Sequence, residues 1–229
     1  MIDQPAAPAA PATPTTPAAP AAPATPAAPA APATSAAPAA PATSASPGRP
    51  ISEWHISDGE VVTWTILGIP LMVAGLAVYG LIGLRGGIPL SWSISSTQII
   101  IELALTFGLA WVHEAVHGAV MLGFGARPEF GVLRVSRIPA GFYTTSPGHR
   151  FSRKQYLMVG LAPLVVIAPL GIPACLLPFG AYLVVPFTVN FAGCIGDLSI
   201  MWRVARNPKG VLFEDLRDGI RFWAPEQGE

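Results

Sequence analysis

His113, Glu114 and His117 stand together in the run His113-Glu114-Ala115-Val116-His117. On an α-helix, side chains four residues apart leave one face, so both imidazoles can reach one metal ion. Glu114 follows about a third of a turn round from His113. Its carboxylate then lies beside the metal's open position, where it can take a proton from a bound water and later deliver it to a leaving amine. Zinc suits this arrangement because it lowers the pKa of the water and polarises the scissile carbonyl. The expectation is Zn2+ held by His113 and His117, with Glu114 as general base.

The competing reading is that these groups only pack or hydrogen-bond between helices, since the pattern fixes just three positions. The setting argues against that. The run lies inside an apolar stretch from about Gln98 to Phe124, and three ionisable groups in one turn of a lipid-embedded helix are costly to keep without a task.

A catalytic zinc needs a third protein ligand, and Asp197, Glu102, Glu129, His149, Glu214, Asp215 and Asp218 are the candidates. Depth selects Asp197. His113 lies 15 residues after Gln98 and Asp197 lies 16 after Ala181; at about 1.5 Å per residue both sit about 23 Å along helices that start on the same side. Asp197 is also the one charge between Leu157 and Trp202, where an unpaired carboxylate is expensive. Glu102 is three turns from the histidines and reads as an interfacial residue, and His149 as a solvated loop histidine. Asn190, two turns before Asp197, either hydrogen-bonds a substrate backbone or holds helices together.

The elements that must position these residues follow from composition. The chain has 229 residues, 11% of them charged, with no net charge and a mean hydropathy of +0.51. An ordinary soluble domain carries about a quarter charged residues, so an integral membrane protein is expected. The first 50 residues hold 14 of the 26 prolines in a Pro-Ala-Ala or Pro-Ala-Thr rhythm. Closely spaced prolines forbid a helix and small side chains offer no core, so a disordered tail over 1–50 is expected, and not a signal peptide. Residues 51–229 form the membrane domain, with helices at about 61–84, 98–124, 156–177 and 181–202 and a C-terminal cytoplasmic segment 203–229. The fold class expected is all-α, with four transmembrane helices.

Between the second and third helices, 130–135 and 141–145 read as short strands. Their free edge either aligns an unfolded substrate segment beside the metal or is part of a plain connection. Arg127, Arg134, Arg137, Arg150, Arg153 and Lys154 fall in that connection, and Arg203, Arg206, Lys209, Arg217 and Arg221 follow the fourth helix. The excess of basic residues assigns both segments, and with them both termini, to the cytoplasm. Trp54, Trp64, Trp92, Trp202 and Trp223 fall near the expected interfaces. Neutral charge and basic residues beside apolar spans exclude nucleic acid as a partner. Cys175 and Cys194 lie in apolar sequence without metal-ligand spacing and read as packing residues.

From about Trp111 to Trp223 the chain resembles the putative zincin peptidases, bacterial membrane proteins distantly similar to site-2 intramembrane proteases. The resemblance rests on His113 to His117, Thr144-Thr145-Ser146-Pro147-Gly148, Ser152-Arg153-Lys154-Gln155-Tyr156, Ala162-Pro163-Leu164 and Asn190-Phe191-Ala192-Gly193-Cys194-Ile195-Gly196-Asp197. It implies a zinc endopeptidase of the bacterial cytoplasmic membrane, with His113, His117 and Asp197 as ligands, Glu114 as base, and a membrane protein or peptide as substrate. Two departures stand out: site-2 proteases usually follow the aspartate with glycine and carry proline in the preceding segment, where this chain has Leu198 and Gly193. A rival of another class is a non-catalytic metal-binding scaffold or partner subunit, which would not need Glu114. A metal transporter would want polar residues along a whole crossing path, and the outer helix halves offer only Glu102.

Overall fold

The computed structural model describes residues 49–88, 95–135 and 138–225. The tail up to residue 48, Trp92 and the end of the chain lie outside the described residues. Four helical segments are long and apolar enough to cross a membrane. The first, α1 (Asp58–Arg85), starts in a capping box: Ser57 accepts from the Glu60 amide while the Glu60 carboxylate accepts from the Ser57 amide, which satisfies two of the donors a helix start leaves open. Next, α2 (Ser96–Gly123) is capped by Ser95, and α3 (Arg153–Cys175) by a second capping box between Ser152 and Gln155. The fourth segment is broken: α4 (Ala181–Gly193) ends and α5 (Ile195–Ala205) begins on either side of Cys194. Together they cover the fourth span expected at 181–202, and the break puts Asp197 in the first turn of α5.

The chain is not all-α. Besides the expected hairpin of β2 (Glu129–Val135) and β3 (Ile138–Thr145), a four-stranded antiparallel sheet joins β1 (Pro50–His55), β4 (Arg150–Ser152), β5 (Leu212–Leu216) and β6 (Gly219–Trp223) in the order β1-β6-β5-β4. β1 starts at Pro50, the last residue assigned to the tail. The expected cytoplasmic segment after residue 203 supplies two of these strands. β5 is the inner strand between β4 and β6, and it buries both Phe213 and Glu214.

Two cores hold the elements. Phe151, Phe213, Ile220 and Phe222 of the sheet pack against Met121 of α2, Tyr156 and Val159 of α3 and Met201 and Val204 of α5. Farther along the helices, Tyr79, Ile167, Cys175, Val184 and Phe187 form the second. Close helix approach there depends on glycine: a Cβ on Gly171 would stand 2.6 Å from Tyr79 and 2.8 Å from Phe187. Both cysteines are free and buried, as packing residues would be. Large apolar side chains such as Ile66, Val73, Ile100 and Val165 remain exposed on the outer faces, which suits helices solvated by lipid rather than water.

Candidate metal centre

His113 and His117 sit in the last three turns of α2, where the four-residue spacing points both rings toward the start of α5. There His113 Nε2 lies 3.1 Å from Asp197 Oδ2, His117 Nε2 lies 3.5 Å from Asp197 Oδ1, and the two Nε2 atoms are 3.2 Å apart. Ligands at about 2.0–2.1 Å from a tetrahedral zinc stand about 3.3 Å from one another. The separation of the two Nε2 atoms matches an edge of such a ligand set, and one ligand atom from each of the three residues lies within 4.8 Å of the others.

The outer nitrogens support the same conclusion. His117 Nδ1 is 2.8 Å from the Val159 carbonyl oxygen and His113 Nδ1 is 3.0 Å from Asn190 Oδ1. Both oxygens can only accept, so each Nδ1 carries a proton, which leaves each Nε2 as the atom able to present a lone pair to a metal. Two such lone pairs 3.2 Å apart would repel unless a cation or a shared proton lay between them. Such outer partners fix tautomer and ring orientation around a metal. His113, His117 and Asp197 therefore form a group able to hold a metal ion, and the donor set suits zinc.

Glu114 is brought to the same cavity, about 290 Å³ in volume. Thr144 of β3 positions it: the hydroxyl lies 2.9 Å from both Glu114 Oε2 and the Glu114 main-chain oxygen. Trp111 of α2 packs on Phe142 of β3, ring centroids 5.0 Å apart, and this stacking seats the hairpin against the helix. Thr144 belonged to a quoted motif, but nothing in the sequence ties it to a residue 30 positions earlier.

The other candidate ligands go elsewhere. Glu102 accepts from Gln98, Glu129 pairs with Arg217, Asp218 with His55, and the His149 ring lies against Phe151. Glu214 is filled by donors from Gly148, Arg221 and Trp223. Asp215 does line the cavity, where it accepts a 2.6 Å hydrogen bond from the Tyr156 hydroxyl. Burial pushes its carboxyl up to about 7, against the lowering effect of that hydrogen bond. Asn190, besides its bond to His113, keeps an Nδ2 that is buried without a partner among the described residues, and it lines a second cavity with His113, Glu114 and Phe142.

A helix-borne histidine pair, a carboxylate from a second helix and a glutamate between the histidines are the parts of a zincin-type centre. Over residues 106–212 the chain matches the putative zincin peptidase family. That span includes both histidines, Glu114, Thr144, Asn190 and Asp197. No curated protein and no solved structure matches the chain.

Proposed function

We propose that the protein is a zinc-dependent endopeptidase that cuts peptide bonds in or at the membrane, in the manner of site-2 proteases. The observation that carries the reading is the convergence of His113, His117 and Asp197 on one point, with the Glu114 carboxylate held at the same cavity. In this reading those three residues hold the zinc. Bound zinc supplies Lewis acidity that activates a water and polarises the scissile carbonyl. Glu114 takes the proton of the attacking water and passes it to the leaving amine. Asn190, which lines the second cavity and has an unpartnered Nδ2 among the described residues, meets a substrate carbonyl.

Two further features support a membrane substrate. An apolar groove of about 520 Å³ runs between α1 and the α4–α5 segment and shares Trp64, Gly193 and Gly196 with the metal cavity. The hairpin strand β3, paired on one side only among the described residues, can hold an unwound segment by backbone pairing. The placement of basic residues supports an orientation with both chain ends in the cytoplasm, and the resemblance to the family suggests a bacterial cytoplasmic membrane.

The test measures zinc stoichiometry and cleavage of a membrane reporter for wild type, Glu114→Gln and Asp197→Ala in parallel. The reading expects zinc retained and cleavage lost in the glutamine variant, and weakened zinc in the alanine variant. Unchanged cleavage by Glu114→Gln sinks it. Stoichiometric zinc with no cleavage by wild type favours the metal-binding scaffold instead.

A further inference from the structure

Two adjacent acids on β5 differ in what they are left to do. Glu214, 5% exposed, has its carboxylate saturated by the Gly148 amide, the Arg221 guanidinium and the Trp223 indole. Asp215 receives the Tyr156 hydroxyl on Oδ1, while Thr145 bonds its main-chain oxygen, 2.9 Å away. A carboxylate has about four acceptor positions, and this one faces the cavity shared with His113, His117 and Glu114.

Position adds the second observation. The ligands come from apolar helices, whereas Asp215 belongs to the sheet that gathers the segments before α1, between α2 and α3, and after α5. A chain lying across the cavity therefore passes from an apolar wall to a wall bearing an acid. Arg217, which lines the same cavity, is 69% exposed and turned toward Glu129, 3.6 Å away, rather than toward Asp215. A shielded carboxylate of this kind attracts a cation more strongly than one in open water.

We propose that Asp215 is a specificity-determining residue, binding the Lys or Arg side chain of a substrate on the sheet side of the scissile bond. The inference rests on the endopeptidase reading and names its substrate class: an apolar segment followed by a basic flank. Spanning segments of membrane proteins carry such Lys and Arg residues at their cytoplasmic ends. Burial that raises Asp215 is relieved when a cation enters.

The test is binding of two detergent-solubilised peptides, identical apolar segments ending in Lys or in Gln, to the full-length, zinc-loaded Glu114→Gln protein. The Lys peptide should bind about tenfold more tightly, the scale of a partly shielded ion pair. Adding Asp215→Asn should abolish the difference with zinc stoichiometry unchanged, since the amide oxygen still accepts from Tyr156; Asp215→Glu should restore part of it. Equal binding of the two peptides, or a Lys preference that survives Asp215→Asn, overturns the proposal. Reporter cleavage by the wild type is read separately: a Lys preference dependent on Asp215 without any cleavage upholds the binding role while removing the endopeptidase reading.

Discussion

The hydroxyl of Thr144, on the hairpin, reaches the carboxylate of Glu114, on the helix, across 30 residues of sequence and 2.9 Å of space. A glutamate side chain has three rotatable bonds, so a general base in this position needs something to aim it. Thr144 lowers the number of orientations without neutralising the charge.

Replacing Thr144 with valine keeps the shape and removes the donor. In the proposed enzyme, kcat for reporter cleavage should fall by about 10- to 100-fold, within the range that a positioned base contributes, with KM and zinc content little changed. Thr144→Ser should recover most of the loss. A valine variant with wild-type kcat would mean that Glu114 is aimed by something else.

Asn190 is expected to act through His113. Asn190→Leu removes the acceptor at Nδ1 and frees the ring to rotate or change tautomer. Zinc affinity measured by competition with a chelator should drop about 10- to 100-fold, as for other outer partners of metal-bound histidines. Unchanged affinity would leave the 3.0 Å contact without a role in metal binding.

Gly171→Ala tests the helix core. The added methyl meets the rings of Tyr79 and Phe187 at 2.6 and 2.8 Å, and neither ring is at the free end of a flexible chain. Overpacking of this kind costs about 1–3 kcal/mol, read as a lower unfolding midpoint in detergent. Gly108→Ala, where a Cβ meets nothing within 4 Å, should leave the midpoint unchanged.

At the seam between β1 and β6, His55 has a raised pKa, chiefly from the hydrogen bond to Asp218, with Glu53 adding to it. The folded value lies above the unfolded one, so its contribution to stability is full below the ordinary histidine pKa and fades as pH rises through the raised value. NMR titration should place the His55 midpoint above that of the unfolded chain, and Asp218→Asn should bring it back down. A midpoint unmoved by that substitution would remove Asp218 as the cause.

The helices were legible in the sequence because each signal is local: an apolar run of about 20 residues or more, bounded by charges or a turn. His113 and His117 were legible as a pair for the same reason, since helical spacing alone puts them on one face. Asp197 could be matched to them by counting residues along two helices, a count that survives the break at Cys194 because one irregular residue shifts depth by little more than about 1.5 Å. The four-stranded sheet was not legible. Its strands are three to six residues long and all four carry charges, and their partners lie up to 173 residues apart, as Pro50 and Trp223 do. The roles of Thr144, Tyr156 and Asp215 were hidden for the same reason, because each depends on where the sheet or hairpin comes to rest against α2 and α3.

The pairing of β1 with β6 has a consequence for the order of events when the chain is made. Ile56, Leu216 and Gly219 all line the metal cavity, and Gly219 pairs with His55. The helices that carry the histidines and Asp197 are complete by residue 205, yet part of the wall of the cavity on the sheet side comes from residues 215–219, which are made after them. A nascent chain thus holds its candidate ligands before it has the enclosure around them, and β6 is a piece that closes it.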